Sequence, residues 1–373
     1  MSTTQLPAGC FVTLEKPALQ AILDQLKAMG YRVIGPTLSQ AAVVYADLES
    51  VTQMPIGLAD EQECGRYRLN RTGENSYFAY VVGPHSLKQF LFPPRTPLLE
   101  TIRYKGKWVA QAPPPPPKPF AFVGVRGCDL HALRVLDRVF LEGSYPDTDY
   151  HARRANAFLL AVNCGRAAAT CFCTSMGTGP AVGPGADLGL FELPDRFVIE
   201  VCTDRGGEVV AAAPWRPSTT REVAEAEHLP RKAERDMPRK LDPRGLRDLL
   251  LGQLESDRWD AIADRCLACA NCTMVCPTCF CSTVEDHSSI DGTATRRERV
   301  WGSCFTEEHS YMNSGTIRKA TRARYRQWLT HKLATWIDQF GTSGCVGCGR
   351  CITWCPVGID LTAEVAAIRG ASS

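Results

Sequence analysis

The sequence predicts an α/β domain over residues 1–240, followed by a mainly helical, metal-binding domain over residues 241–373. Three observations lead to this division. Apolar runs typical of buried strands gather in the first half, and two identical cysteine motifs stand in the second. Residues 214–245, between them, are rich in Pro, Arg and Glu and show little apolar periodicity. We place the domain boundary within that polar stretch.

The first half combines an amphipathic helix with β-rich runs. One helical face over residues 17–29 carries Leu19, Ile22, Leu23, Leu26 and Met29, with Pro17 at the entry and Gly30 beyond the exit. Short β-rich runs follow at YRVIG, AAVVYA and YFAYVV. The run FAFVGV at 120–125 is almost continuously apolar, which is typical of a strand buried on both faces. These signals together predict a sheet covered by helices.

The second half is predicted to be mainly helical. A helical stretch, RGLRDLLLGQLESDRWDAIADRC, leads into the first cysteine motif, and another extends from about Ser314 to Phe340. The polar positions of the latter include Arg318, Lys319, Arg322, Arg324, Arg326 and Lys332. A basic row of this kind is usual on a solvated helix face, although it would also suit docking of an acidic partner.

Composition limits the class of function. The 42 basic and 40 acidic residues leave a formal charge of only +2. This balance argues against a nucleic-acid partner. No apolar run approaches the roughly 18 residues of a membrane helix, and the N-terminus lacks the pattern of a signal peptide. We therefore expect a cytoplasmic protein without a membrane partner. In that reducing compartment, 18 cysteines in 373 residues are expected to be metal ligands or redox groups rather than disulfides.

Two copies of one cysteine motif dominate the second half. Both read C-x2-C-x2-C-x3-C-P: Cys266, Cys269, Cys272 and Cys276 before Pro277, and Cys345, Cys348, Cys351 and Cys355 before Pro356. This is the spacing of bacterial two-cluster ferredoxins, in which the fourth cysteine of each motif binds the other cluster. We therefore expect crossed ligation of two [4Fe–4S] clusters, by Cys266, Cys269, Cys272 and Cys355 (cluster 1) and by Cys345, Cys348, Cys351 and Cys276 (cluster 2). Zinc is the alternative, but it prefers four ligands in two separated pairs.

The segment between the motifs, residues 277–344, is longer than the connection in a small βαβ ferredoxin. Most of its sequence pattern is typical of helices. An α-helical ferredoxin-type domain is therefore expected. Paired clusters of this kind pass single electrons onward. The second domain is thus predicted to conduct electrons and to perform no substrate chemistry.

A further set of cysteines lies in the first domain. Cys128 follows the run FAFVGVRG at a predicted strand-to-helix turn, Cys164 follows the apolar run AFLLAVN, and Cys171 and Cys173 come shortly after. If the two strands are parallel neighbours, Cys128 and Cys164 leave the sheet at the same carboxyl edge. The four cysteines therefore predict a third [4Fe–4S] cluster (cluster 3). The alternative is that they pack as small apolar side chains.

The role of three further cysteines stays open. Cys279, Cys281 and Cys304 could form an incomplete cluster site, contribute to the metal of a partner, or tune a ferredoxin cluster through its ligands. Cys10, Cys64 and Cys202 are isolated, so ordinary packing is expected of them. The sequence has no glycine-rich nucleotide motif after a strand, and it lacks the Cys-x-x-Cys pairs near both termini that hold a nickel–iron centre. No catalytic residue, nicotinamide site or flavin site is therefore predicted.

The cysteine-bearing segments resemble one family closely. These segments are VGVRGCDLHAL (123–133), NCGRAAATCFCTSMGTGP (163–180), CLACANCTMVCPTCFCSTVED (266–286), RVWGSC (299–304) and CVGCGRCITWCPVGID (345–360). They are similar to the beta subunit of cytoplasmic NAD(P)-linked nickel–iron hydrogenases of the sulfhydrogenase type, and to the related electron-input subunit of anaerobic sulfite reductase. The chain departs from the family pattern at Gly127, where proline is expected, and at Gly302, where aspartate is expected.

The resemblance implies an electron-transfer subunit of a hetero-oligomeric oxidoreductase. Its implied partners are a flavoprotein NAD(P)-binding subunit and the small and large subunits of a nickel–iron hydrogenase. Cys128, Cys164, Cys171 and Cys173 match the first cysteine set of that family. The alternatives are electron input to a siroheme sulfite reductase, a flavin enzyme based on the α/β domain, and a zinc-dependent interaction module.

Overall fold

The computed structural model describes residues 6–111 and 117–370. The strands are β1 (Phe11–Glu15), β2 (Arg32–Ser39), β3 (Ala42–Asp47), β4 (Leu58–Glu63), β5 (Arg66–Arg71), β6 (Arg95–Tyr104), β7 (Lys107–Ala110), β8 (Phe120–Arg126), β9 (Phe158–Val162), β10 (Leu188–Glu192), β11 (Arg196–Val201), β12 (Arg216–Pro217), β13 (Ser282–Ser288), β14 (Ala294–Trp301), β15 (Tyr311–Met312) and β16 (Gly315–Thr316).

The α-helices are α1 (Leu19–Ala28), α2 (Lys88–Leu91), α3 (Gly127–Phe140), α4 (Thr148–Arg154), α5 (Asp204–Ala211), α6 (Thr220–Arg235), α7 (Leu246–Gly252), α8 (Arg258–Ala263), α9 (Asn271–Met274), α10 (Thr321–Thr330), α11 (Trp336–Phe340), α12 (Arg350–Thr353) and α13 (Leu361–Gly370). A π-helical turn, His331–Thr335, joins α10 to α11. Within the described residues, no helix is long and apolar enough to cross a membrane.

The first half is organised around an eight-stranded mixed sheet in the order β12-β1-β11-β10-β9-β8-β2-β3. Its centre is parallel, because β2 pairs with β8, β8 with β9, and β9 with β10 in that sense. Strand β8 is buried along its whole length, since Phe120 and Phe122 pack in one apolar cluster while Ala121 and Val123 pack in another. The prediction of mixed α/β structure in this half is confirmed.

A second, four-stranded sheet joins distant parts of the chain in the order β13-β14-β6-β7. Strand β14 pairs antiparallel with β6, so the segment between the two cysteine motifs is continuous with a sheet from the first half. The prediction that this segment is largely helical is therefore wrong for residues 282–301, and the helix predicted from about Ser314 begins only at Thr321, after the short pair β15–β16. Asp291-Gly292 forms the turn between β13 and β14, and the exposed pair Arg297–Asp286 bridges the two strands. These are common signals of a β-hairpin.

The helical part of the second half packs around one apolar cluster. Leu250 of α7, Trp259 and Ile262 of α8, and Leu329 of α10 are fully buried there. The partly buried cysteines of both motifs, Cys266, Cys272, Cys351 and Cys355 among them, pack against its edge. The core of this half therefore holds both motifs against one another.

Candidate metal centres

The two cysteine motifs enclose two separate cavities. The first has a volume of about 460 Å³, part of it open to solvent, and is bordered by Cys266, Cys269 and Cys272 together with Cys355 of the second motif. Phe305, Tyr325, Trp328 and several aliphatic side chains form the rest of its wall. The structure therefore brings together the cysteines predicted for cluster 1. Cys351 also borders this cavity.

The second cavity, of about 300 Å³, is bordered by Cys345, Cys348 and Cys351 together with Cys276 of the first motif. These are the cysteines predicted for cluster 2. Lys332 and Phe172 complete part of the wall. Because Cys351 borders both cavities, the two sites are direct neighbours.

The backbone around these cysteines supplies hydrogen-bond donors to sulfur. The amide of Ala268 donates to Cys266 Sγ over 3.4 Å, the amide of Gly347 donates to Cys345 Sγ over 3.4 Å, and the amide of Ile359 donates to Cys355 Sγ over 3.3 Å. Such bonds favour a negatively charged sulfur. Ala268 turns the loop with a φ of 50°, in the left-handed region.

The chemistry of the cavities suits a cluster rather than unliganded thiols. Burial raises the pKa of Cys345 to about 12 and the pKa of Cys272 well above its ordinary value, so these sulfurs become thiolates only where a cation compensates them. Each cavity is bordered by the four cysteines that an iron–sulfur cubane requires as ligands. Among the described residues, no three His, Cys, Asp or Glu side chains converge on a point that could hold a single metal ion.

The cysteines predicted for cluster 3 are also together. Cys128 lies in the first turn of α3 and Cys164 follows β9, and β8 and β9 are parallel neighbours, as the prediction required. Cys128, Cys164, Cys171 and Cys173 are all buried. Burial raises the pKa of Cys171 to about 12, with Cys164 contributing.

Two glycines allow the close approach of the segments that carry this set. A Cβ at Gly127 would lie 2.3 Å from the carbonyl oxygen of Ala181, and a Cβ at Gly179 would lie 3.3 Å from Cys173 Sγ. A side chain at position 127 would therefore push the start of α3 away from the loop that follows Cys173. In this structure, the gap at position 127 therefore fits glycine.

A buried arginine accompanies the third set. Arg126, at the end of β8, donates through Nη2 to the carbonyl oxygen of Phe78 over 3.1 Å. Its Nη1 lies 3.9 Å from Cys164 Sγ, and its Nε has no hydrogen-bond partner among the described residues. Burial opposes the charge, but the Cys164 sulfur raises the pKa of Arg126. A buried cation therefore lies beside the sulfur of Cys164.

The second cysteine motif, residues 345–355, packs directly against the loop that carries Cys171 and Cys173. The amide of Phe172 donates to the carbonyl oxygen of Gly347 over 2.9 Å, and a Cβ at Gly347 would lie 2.6 Å from the carbonyl oxygen of Phe172. Cys348 packs in the same apolar cluster as Cys128, Cys171 and Cys173. The three sets of cysteines therefore form a contiguous series, with the second cavity in the middle.

A buried ion pair also joins the second cysteine motif to the segment that carries Cys128. Arg350 Nη1 lies 2.8 Å from Asp129 Oδ1, and both side chains are 1% exposed. Arg350 also donates to the carbonyl oxygens of Gly83 over 2.9 Å and His85 over 3.1 Å. Because Asp129 follows Cys128 and Arg350 lies between Cys348 and Cys351, this pair ties the second motif to the third set. No sequence pattern points to the pair, because the partners are 221 residues apart.

Of the three unassigned cysteines, Cys279 and Cys281 lie near two buried lysines. The Cys279 thiol hydrogen-bonds to Cys276, and this bond lowers the pKa of Cys276. Lys88 Nζ lies 3.2 Å from the carbonyl oxygen of Cys279, and Cys281 is within electrostatic reach of both Lys88 and Lys332. Cys304 packs in the apolar cluster of the second half.

The isolated cysteines lie apart from these groups. Cys10 and Cys202 are partly buried. Cys64 is exposed in the turn between β4 and β5, beside Gly358.

Comparison with known proteins supports an iron–sulfur assignment. Residues 265–359 match the family model of the 4Fe-4S dicluster domain. The chain is 29% identical over 357 residues to sulfhydrogenase 2 subunit beta of Pyrococcus furiosus, and the alignment covers 94% of this chain and 96% of that protein. No solved structure matches the chain. The resemblance found in the sequence is confirmed: the chain is a homologue of a sulfhydrogenase beta subunit and an iron–sulfur protein of electron transfer.

Proposed function

We propose that this chain relays electrons between the nickel–iron subunits of a hydrogenase and a flavoprotein subunit that reduces NAD(P). The observation that carries the proposal is the contiguous series of three cysteine sets. Bound [4Fe–4S] clusters supply one-electron carriers, and neighbouring carriers make a path. Nearly full-length similarity to a sulfhydrogenase beta subunit supports the choice of complex.

The proposed ligands of the dicluster domain follow the two cavities. Cys266, Cys269, Cys272 and Cys355 hold cluster 1, and Cys345, Cys348, Cys351 and Cys276 hold cluster 2. The crossed contribution of Cys276 and Cys355 is supported by their positions in the walls of the opposite cavities. Helices α7, α8, α10 and α13 pack around these sites, which supports a helical ferredoxin-type arrangement despite the hairpin β13–β14.

Cluster 3 is proposed at Cys128, Cys164, Cys171 and Cys173. The support is the burial of all four thiols, their common carboxyl edge of the parallel sheet, and the charge of Arg126 beside Cys164. In this arrangement the electron path runs from the interior of the α/β part, through cluster 2, to cluster 1. Cluster 1 is the outermost site, because Cys269 and Leu267 are exposed there.

Besides the proposed ligands, the chain supplies apolar side chains around the first site and cysteines between neighbouring sites. The apolar walls of the first cavity cover part of its sulfurs, and Cys351 and Cys348 lie between successive sites. We place the chain in the cytoplasm, where a reducing environment keeps its thiols available as ligands.

Iron and sulfide counts test the proposed set of clusters. Anaerobically reconstituted full-length protein should bind about 12 iron atoms per chain, because each cluster carries four. Cys173→Ala should lower the count to about 8, whereas Cys202→Ala, which changes a cysteine remote from all three sets, should leave it unchanged. If the natural protein binds about 8 iron atoms and Cys173→Ala does not change that count, the proposal of cluster 3 is refuted.

A further inference from the structure

Lys332 occupies an unusual position beside the second cavity. It lies on the π-helical turn between α10 and α11 and is 5% exposed. Its Nζ donates to Cys276 Sγ, to Thr278 Oγ1 and to the carbonyl oxygen of Gly344, each over 3.2 Å. π-Helical turns often occur at functional sites, since they redirect one side chain out of the helical repeat. Here the turn coincides with the lysine that meets a predicted cluster ligand.

The surroundings fix the side chain of Lys332. Thr278 Oγ1 donates to the carbonyl oxygen of Gly344 over 2.6 Å, and it therefore accepts from Lys332. The amide of Gly344 donates to the carbonyl oxygen of Lys332 over 2.9 Å, which ties the π turn to the residue before Cys345. The ammonium is thus held against the sulfur of Cys276 by contacts on both sides.

Charge is distributed unequally between the two cavities. Among the described residues, no charged side chain borders the first cavity, whose wall beyond the cysteines is aromatic and aliphatic apart from Asn271. Lys332 and Arg350 border the second, but Arg350 is neutralised by Asp129. The second buried lysine, Lys88, points at the carbonyl oxygens of Met274 and Cys279 and stacks on Trp301, 3.9 Å from the ring centre. Lys332 therefore brings an uncompensated cation to a sulfur of the second cavity.

A fixed cation at a ligand sulfur affects one redox state more than the other. Reduction of a cluster by one electron adds one negative charge, and a nearby buried cation stabilises that charge strongly because few water molecules screen it. A hydrogen bond to a ligand sulfur acts in the same direction. Lys332 should therefore stabilise the reduced form of the cluster that has Cys276 as a ligand.

We propose that Lys332 is a positioning residue that raises the reduction potential of cluster 2 above that of cluster 1. The proposal rests on the crossed ligation of the proposed function. Of these two clusters, cluster 2 is then the one that is reduced first. One-electron reduction of cluster 2 leaves Lys332 protonated and transfers no proton.

Redox titration followed by electron paramagnetic resonance tests the proposal on the full, iron-loaded chain. Cluster 2 is identified as the signal that changes in Cys345→Ser. At the potential where cluster 2 is half reduced in the natural protein, Lys332→Met should lower its ratio of reduced to oxidised form at least tenfold, which is about 59 mV for a one-electron couple. The midpoints of the other clusters should stay in place.

Three further variants separate charge from packing. Lys332→Arg keeps the cation and should retain most of the natural potential. Thr278→Val removes a hydroxyl that lies 3.2 Å from both Lys332 Nζ and Cys276 Sγ and should lower the potential of cluster 2 by a smaller amount. An unmoved midpoint in this variant counts against the role of Lys332 if Lys332→Met fails to load iron. Lys107→Met removes a cation from an exposed strand position and should move no midpoint.

Two results would overturn the inference, and they are distinguishable. If Lys332→Met or Thr278→Val carries full iron and no midpoint moves, the role of Lys332 is refuted while the relay stands. If the natural protein shows no signal that responds to Cys345→Ser, the proposed cluster 2 fails and the inference fails with it.

Discussion

Replacing Arg350 by Met should destabilise the protein strongly, because it leaves Asp129 as a buried charge without its cation. Both side chains are 1% exposed, and the guanidinium also satisfies the carbonyl oxygens of Gly83 and His85. Removing one partner of a buried ion pair costs about 3–5 kcal/mol. An exposed pair makes a matched control: Arg247 lies 2.7 Å from Asp338 with side chains 42% and 43% exposed. Arg247→Met should cost less than about 1 kcal/mol.

Urea unfolding of the iron-loaded chain, followed by the loss of visible cluster absorbance, measures the difference. Arg350→Met should shift the midpoint far more than Arg247→Met. The double variant Arg350→Met/Asp129→Asn should recover part of the loss, because Asn carries no charge to leave unpaired. Equal midpoints for Arg350→Met and Arg247→Met would refute the argument that this pair anchors the second motif.

Two other variants address the sites directly. Cys276→Ser should damage the cluster held by Cys345, Cys348 and Cys351 more than the cluster beside it in sequence, as read from resonance signals and iron content; selective loss of the other cluster would contradict crossed ligation. Gly347→Ala should lower the urea midpoint more than Gly341→Ala, although both glycines have a φ near 65°, because only at position 347 does the new Cβ meet backbone, 2.6 Å from the carbonyl oxygen of Phe172. Equal shifts for the two alanine variants would mean that strain alone, without the contact, determines the cost.

The sequence predicts best where a short pattern determines the structure. The continuous apolar run of β8 requires burial on both faces, and a cysteine directly after each of two parallel strands places Cys128 and Cys164 at one edge. The hairpin β13–β14 is not predicted from the sequence. Its turn signal, Asp291-Gly292, is short, and the helical patterns on either side outweigh it.

Other features depend on contacts that no local pattern encodes. Lys332 belongs to a basic row that is usual on a solvated face, yet the π turn buries it against Cys276. Arg324 of the same row is also buried, where it donates to the carbonyl oxygen of Phe305 over 3.1 Å. By contrast, Arg326 remains near the surface and pairs with Glu255. The sequence shows the charge of such residues, whereas only the fold shows which of them meet a sulfur.

The relay role is tested most directly by measuring hydrogen-dependent NAD(P) reduction in the native complex with and without this chain. The complex without it should keep hydrogen-to-dye activity at the nickel–iron subunits and NAD(P)H-to-dye activity at the flavoprotein, because bond chemistry belongs to those cofactors. The coupled reaction should be lost and should return when the iron-loaded chain is added back. Undiminished coupled reduction in its absence would contradict the relay, and copurification of the chain with a siroheme protein instead would contradict the assignment to hydrogenase.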